Sequence, residues 1–373
     1  MLTLPKDAWY YIEDADTIDS PALVVFPERV KANIALAIDM VGSVDRLRPH
    51  VKTNKSPDAC MLMLKAGITR FKCATIAEAE MLAMIGAPDV LFAYQPVGPK
   101  LTRFLQLVKE YAGTNFSCLV DGMAAAAQIN DSFSRASRIA AVYIDLNTGM
   151  DRTGIAPENA MELAEYCDRA GALQLEGLHH YDGHIRGIDL DARTQACETA
   201  FGRVESLGHQ MQATGIAVRH IVAGGSPTFP LHARRPTVEC SPGTFIYWDQ
   251  GYLEGCPEQH FLPAAVLLAR VISTPSPGKV CIDLGHKSVA AENEIGRRVH
   301  FLNTSVLNPV AQSEEHLVCE MSGGEHLAPG SILAGLPFHI CPTVALYERV
   351  FLVENGKLAG EWLTTARDRR ISI

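Results

Sequence analysis

Between about residue 47 and residue 250 the chain alternates short apolar runs with longer amphipathic stretches, regularly enough to predict elements. Strands are expected at 47–52, 70–75, 90–94, 116–121, 139–146, 173–181, 218–224 and 237–248, where apolar and β-branched residues cluster between turn formers. Amphipathic helices are expected between them, as at 76–85, 158–170 and 190–214, with Gly or Pro breakers following in several places. Eight strands with helices between them are what a (β/α)8 barrel of the TIM type needs. A doubly wound open sheet is the alternative, because the helices between the last strands are uneven and 21–26 is a further strand candidate.

After about residue 255 the pattern changes. Short β-rich runs at 264–273, 279–283, 299–302, 316–321 and 347–354 follow one another across turn residues, which predicts a mainly antiparallel β domain. The expected division is a barrel over 17–255 and a β domain over 256–373. Residues 1–16 are expected to join the second domain, with 9–12 adding a strand to it, since a terminus is usually tied down somewhere. No internal repeat or low-complexity tract is present.

Composition narrows the function classes. With 373 residues, 47% of them hydrophobic, the chain can bury a large core. A net charge of -9 with scattered Lys and Arg speaks against a nucleic-acid or anionic-membrane surface and leaves small-molecule work as the default. No apolar run approaches the roughly 18 residues of a membrane span, and the opening residues lack the basic and apolar blocks of a secretory signal, so a cytoplasmic location is expected. The ten cysteines are dispersed, mostly in apolar contexts such as Cys73, Cys118 and Cys281, as befits reduced core thiols. Without a CxxC pair, a closed structural zinc site is not expected.

The candidate chemistry starts at Arg48-Pro49-His50-Val51-Lys52-Thr53-Asn54-Lys55. A lysine that closes an apolar strand and opens onto a polar turn suits covalent catalysis, since partial burial and cationic neighbours favour its reactive neutral amine. Arg48, His50 and Lys55 are the neighbours in sequence. In a (β/α)8 barrel catalytic groups sit where strands end, and loops after the seventh and eighth strands commonly bind phosphate. Here those loops carry Gly224-Gly225-Ser226-Pro227-Thr228 and Ser241-Pro242-Gly243-Thr244, whose glycines permit close backbone approach. In Pro337-Phe338-His339-Ile340-Cys341-Pro342, His339 and Cys341 are two apart and are expected on one face of an extended segment, as a divalent metal such as zinc requires; a packed cysteine beside a surface histidine is the bland alternative. In Leu178-His179-His180-Tyr181-Asp182-Gly183-His184, His184 follows a glycine that lifts it clear as a candidate general base. His179 and Tyr181 alternate with His180, so at most one parity set faces the site and the other packs. Arg152, in Asn147-Thr148-Gly149-Met150-Asp151-Arg152-Thr153-Gly154, either meets a cofactor oxyanion or caps the following helix.

Taken together and in order, RPHVKTNK, NTGMDRTG, GLHHYDGH, AGGSPT, CSPGTFIYWD, DLGHKS, SEEH and PFHICPT make the chain resemble the alanine-racemase-like, fold-type III pyridoxal-phosphate enzymes over nearly its whole length. The nearer resemblance is to the branch with D-threonine aldolase, D-serine dehydratase and D-threo-3-hydroxyaspartate dehydratase. It implies that Lys52 holds pyridoxal 5'-phosphate as a Schiff base, that Gly224, Gly225, Ser226, Gly243 and Thr244 bind its phosphate, and that Arg152 and Tyr181 belong to the cofactor site. It further implies a divalent metal, zinc or manganese, on His339 and Cys341, and a homodimer. Asn54 stands where this branch commonly has His, Phe338 where it often has Asn, and Ala345 where a polar residue is frequent.

The reaction implied is on a D-amino acid with a β-hydroxyl. With His184 as base, the Cα–Cβ bond breaks to glycine and an aldehyde; with Lys52 taking the α-proton, the hydroxyl leaves and a keto acid and ammonia result. The aldolase outcome is the expectation and the dehydratase the alternative. A racemase, which needs no metal pair, and a non-catalytic pyridoxal-phosphate carrier, which needs only the barrel, rank lower.

Overall fold

The computed structural model describes residues 2–322 and 327–373. The chain forms two compact units that interleave in sequence: one holds the residues up to Ala35, Thr53–Ala59 and Thr244–Arg367, the other Leu36–Lys52, Cys60–Gly243 and Asp368–Ile373.

The first strand, β1 (Ala22–Val25), is apolar and buried at all four positions, the signature of a strand covered on both faces. It belongs to the first unit, where it pairs with strands from the end of the chain, and so is no part of the parallel sheet.

That parallel sheet is the second unit. Its strands β2 (Arg70–Cys73), β3 (Asp89–Phe92), β4 (Asn115–Val120), β5 (Ala140–Leu146), β6 (Leu173–His180), β7 (His220–Ala223) and β8 (Val238–Cys240) lie side by side in chain order, every neighbouring pair parallel. Helices such as Ile76–Met84, Met161–Arg169 and Leu190–Ala213 connect them where periodicity predicts. Two expected strands differ: 237–248 is a strand only over Val238–Cys240, after which Pro242 and Gly243 lead the chain into a 3-10 turn at Thr244–Ile246, and 47–52 departs further. It is not a regular strand but an eighth stave, joined by one bridge to β8 (Leu47 to Cys240) and one to β2 (His50 to Lys72). Pro49 has no N–H for a ladder; its carbonyl accepts from Lys72 N–H, while Arg48 N–H donates to Cys240 O and Val51 N–H to Lys72 O, each 2.9 Å. Those bonds span the gap between β8 and β2 and close the ring. The ends at which the strands finish form its mouth, and the ends at which they start form its floor.

The first unit is mainly antiparallel. β9 (Ala265–Ser276), β10 (Lys279–Ile282), β11 (Val299–Phe301), β12 (Leu307–Gln312), β13 (Leu317–Met321), β14 (Ile332–Pro337), β15 (Arg349–Glu354) and β16 (Lys357–Leu363) form with β1 one sheet in the order β12-β13-β10-β9-β1-β15-β16; β14 pairs with both β9 and β11. β1 runs antiparallel to β9 and parallel to β15. β12, β14 and β16 were not among the expected strands. Residues 9–12 add no strand. Their side chains do the anchoring instead: Trp9 meets Phe26 edge-on at 5.3 Å under the Arg29 guanidinium, and Tyr10 donates to Leu302 O. Among the described residues, no helix is long and apolar enough to cross a membrane.

Candidate active site

Lys52 ends the closing stave, half-buried, with its backbone N–H donating to His50 Nδ1 at 3.2 Å. Its Nζ stands 5.5 Å from the centre of the Tyr181 ring, just beyond β6, and the Arg152 guanidinium, after β5, stands 4.9 Å from the same centre. The ring is seated by glycines. A Cβ on Gly183 would strike the Tyr181 hydroxyl at 2.2 Å, and one on Gly225 would come within 3.0 Å of its edge. Thus Lys52, Arg152, Tyr181 and Gly225 converge at the mouth, as cation and aromatic contacts favour.

The turns after β7 and β8 join this group. Gly224 takes φ +83, and a Cβ there would meet the His232 ring at 2.6 Å, so only glycine lets the chain pass. Gly243 N–H donates to the Ser226 hydroxyl at 3.4 Å, linking the two turns. Beneath them Asp182 accepts from Thr228 Oγ1 at 2.7 Å and from His232 Nε2 at 2.8 Å, all fully buried. His180, Asp182 and His232 bring three donor atoms within 4.8 Å of one another. Arg235 donates to His232 Nδ1 at 3.3 Å, which keeps the His232 proton on Nε2, the atom a metal would need. The group is therefore a hydrogen-bonded support for the β7 turn.

His179 and Tyr181 face the barrel interior, whereas His180 points outward, its Nε2 at 2.8 Å from Thr148 Oγ1 and its ring 5.9 Å from that of Phe201 on the 190–213 helix. Burial pushes His180 down to about 4, so it stays neutral. His184 is exposed and packs against Gly149, where a Cβ would meet its Nε2 at 3.0 Å. It lines an outer cleft with Thr148, Arg186 and Arg193, apart from the group around Tyr181.

Two residues of the site, Lys72 and Asp145, escaped sequence reasoning, and His179 was reached only as one of two parity sets. Lys72 in β2 is buried, with Nζ 5.7 Å from the Tyr181 ring centre and 3.5 Å from His179 Nε2. His179 Nδ1 donates to Asp145 Oδ1 at 2.8 Å, and Asp145 also accepts from Thr153 and Gln95 at 2.9 Å each. Burial raises Asp145, but those hydrogen bonds outweigh it and hold the carboxyl below its ordinary range. Arg48, counted in sequence as a cationic neighbour of Lys52, instead turns to the floor. There it is buried, ion-paired with Glu239 at 2.7 Å and with Asp89.

In the first unit, His339 and Cys341 do not lie on an extended segment. His339 caps a short helix, Ile340–Val344, with Pro342 in its first turn, where proline is tolerated. The turn still brings the donors together. Burial pulls His339 down, but the Cys341 sulfur and the Glu292 carboxylate outweigh it and push it up to about 9. Glu292 accepts from His339 Nδ1, which leaves Nε2 for a ligand. Cys341 Sγ lies 3.1 Å from Thr53 Oγ1 and 3.7 Å from Thr244 Oγ1, hydroxyls that directly follow Lys52 and Gly243 in the chain. Asp249, buried and pushed up to about 6 by that burial, accepts from Ile340 N–H at 3.0 Å and from Tyr252 N–H at 2.9 Å, and so fixes the turn. A thiol and an imidazole nitrogen in hydrogen-bond range suit a divalent metal.

Residues 26–250 match the model of the alanine racemase N-terminal domain, and residues 264–353 match the model of a putative serine dehydratase domain. The chain therefore belongs to the alanine racemase N-terminal domain family, the alanine-racemase-like, fold-type III pyridoxal-phosphate enzymes. Among curated proteins it is 27% identical to a D-threonine aldolase of Arthrobacter sp over 94% of this chain and 93% of the other. It is also 27% identical to the D-threo-3-hydroxyaspartate dehydratase of Delftia sp. (strain HT23), over 62% of each chain. A crystal structure of D-threonine aldolase from Filomicrobium marinum superposes with a TM-score of 0.87 at 24% identity, covering 98% of this chain and 99% of that one.

Proposed function

We propose that the protein is a pyridoxal-phosphate- and metal-dependent lyase acting on D-β-hydroxy amino acids, cleaving Cα–Cβ in the manner of a D-threonine aldolase. The observation that carries the reading is the convergence of Lys52, Arg152 and Gly225 on the Tyr181 ring, in a chain whose relatives include a D-threonine aldolase matched over nearly its full length. Lys52 is the residue to bind the cofactor aldehyde. The backbone at Gly224, Gly225 and Gly243, with the hydroxyls of Ser226 and Thr244, offers the small, donor-rich turns that a phosphate needs. His339 and Cys341 are the ligands for zinc or manganese, and Glu292 orients the imidazole through Nδ1. Bound there, pyridoxal phosphate supplies an electron sink for charge at Cα, and the metal a Lewis acid for the β-oxygen.

The chain's own residues then handle the protons. Lys52 is positioned to exchange the α-proton, and the aldolase route additionally needs a base for the β-hydroxyl, the role proposed for His184. The exposed position of His184 against Gly149 favours a second reading, a dehydratase acting on D-serine or D-threo-3-hydroxyaspartate, which needs only the lysine base. A homodimer in the cytoplasm, working on a free amino acid, completes the proposal.

The test is product analysis of the metal-loaded enzyme with D-threonine, D-serine and D-threo-3-hydroxyaspartate, repeated after chelation. Glycine and an aldehyde that vanish on chelation support the aldolase. Ammonia and a keto acid transfer the assignment to the dehydratase, and no turnover of any of the three overturns both.

A further inference from the structure

Lys72 has no part in the chemistry above, yet it is buried in the barrel interior beside it. It lies on the strand next to the closing stave, level with His50 and hydrogen-bonded through its backbone to Pro49 and Val51. Its amine and that of Lys52 stand at nearly equal distances, 5.7 and 5.5 Å, from the centre of one tyrosine ring. The side chain is aimed by a relay. Asp145 only accepts, so His179 carries its proton on Nδ1, and its Nε2 lone pair is left facing Lys72 Nζ at 3.5 Å. Burial pulls His179 below its ordinary range despite Asp145, which keeps that lone pair free.

The charges facing Lys72 come from three directions. The closing stave contributes Lys52 and Arg48, β5 contributes Asp145, and β6 with the residues after it contributes His179, Tyr181 and Asp182. Arg48 is already balanced by Glu239 and Asp89, and Asp182 hydrogen-bonds to His232. The amines of Lys52 and Lys72, the Arg152 guanidinium after β5 and the Asp145 carboxylate remain, and an unpaired buried charge is costly. Burial first, and then the charge of Lys52, bring Lys72 down to about 7.

We propose that Lys72 is a positioning residue for Lys52: aimed by the His179–Asp145 relay at the tyrosine ring that Lys52 also faces, its amine sets the charge that the Lys52 nitrogen feels. The inference rests on the reading of Lys52 as the cofactor-bearing lysine.

The test is a spectrophotometric pH titration of the pyridoxal-phosphate-loaded protein, following the visible band of the bound cofactor in wild type, Lys72→Met and Lys72→Arg. Removing the amine should raise the midpoint of the band by about one pH unit, a tenfold change in proton affinity. A permanently charged guanidinium should lower it. A merely structural lysine would not give shifts of opposite sign, so midpoints that stay put or move together in cofactor-bearing variants overturn the proposal. Should Lys72→Met fail to fold, Lys72→Gln takes its place with the same expected rise. A wild-type protein that shows no band, or whose band survives in Lys52→Ala, removes the cofactor reading and this proposal with it. A normal band with unmoved midpoints removes this one alone.

Discussion

The floor and the mouth of the barrel are both built from charged side chains pointing inward, and they treat charge in opposite ways. At the floor, Arg48 is paired with Glu239 and Asp89, and Glu239 also takes Arg70 at 2.9 Å and His220 at 2.7 Å. Arg70, Asp89 and His220 are the first residues of their strands. Every cation there has a carboxylate. At the mouth, Lys52, Lys72 and Arg152 share one tyrosine ring, and the Asp145 carboxylate is taken up by His179, Thr153 and Gln95. Removing one partner from a compensated network leaves a buried charge unpaired and is destabilising, whereas an uncompensated cluster of cations costs stability as it stands and suits an anionic ligand.

That contrast can be broken most decisively at its extremes. Lys52→Ala should lower turnover by about a thousandfold or more while leaving the urea midpoint nearly unchanged. A variant that retains a tenth of wild-type activity would remove Lys52 from the chemistry. Glu239→Gln should do the reverse, costing about 3 kcal/mol in urea unfolding by leaving Arg48 and Arg70 short of a partner, with activity at neutral pH retained by the folded protein. A loss of activity without loss of stability would mean that the floor is no mere support.

Smaller effects are expected in the pH dependence of stability. The Glu239 carboxyl is drawn down to about 2 from 4.5: burial raises it, and the His220 hydrogen bond and Arg48 charge more than reverse that. Its contribution is therefore complete above about 4.5 and lost as the pH falls toward 2. Lys72 has the opposite sign. Burial holds it near 7 in the folded chain against 10.5 in the unfolded one, so between those values only the unfolded chain takes up the proton. The cofactor-free protein should gain stability as the pH rises through that window. Thermal melts of the cofactor-free protein and of Lys72→Met across both ranges separate the two: the variant should lose the alkaline rise and keep the acid fall.

Much of this was legible in sequence because it is local. The periodicity of the barrel elements, the glycine turns after β7 and β8, and the lysine at the end of the first stave need no knowledge of distant partners. What escaped depends on distance along the chain. Lys72 sits in Arg-Phe-Lys-Cys, where a lysine between apolar residues reads as the solvent side of a strand, and its partner His179 lies 107 residues downstream. Arg48 looked like a neighbour of Lys52 until pairing with Glu239, 191 residues away, turned it to the floor. The 22–25 segment was recognisable as a strand, but its sheet was not, since β9 and β15 come from the far end of the chain.

The interleaving of the two units has an evolutionary side. The chain passes from one to the other at 35/36, 52/53, 59/60, 243/244 and 367/368, and two of those passages fall directly after Lys52 and Gly243. No single contiguous piece of gene encodes either unit whole. A self-contained domain can be copied, lent to another protein and recombined, but here neither half can be inherited without fragments of the other.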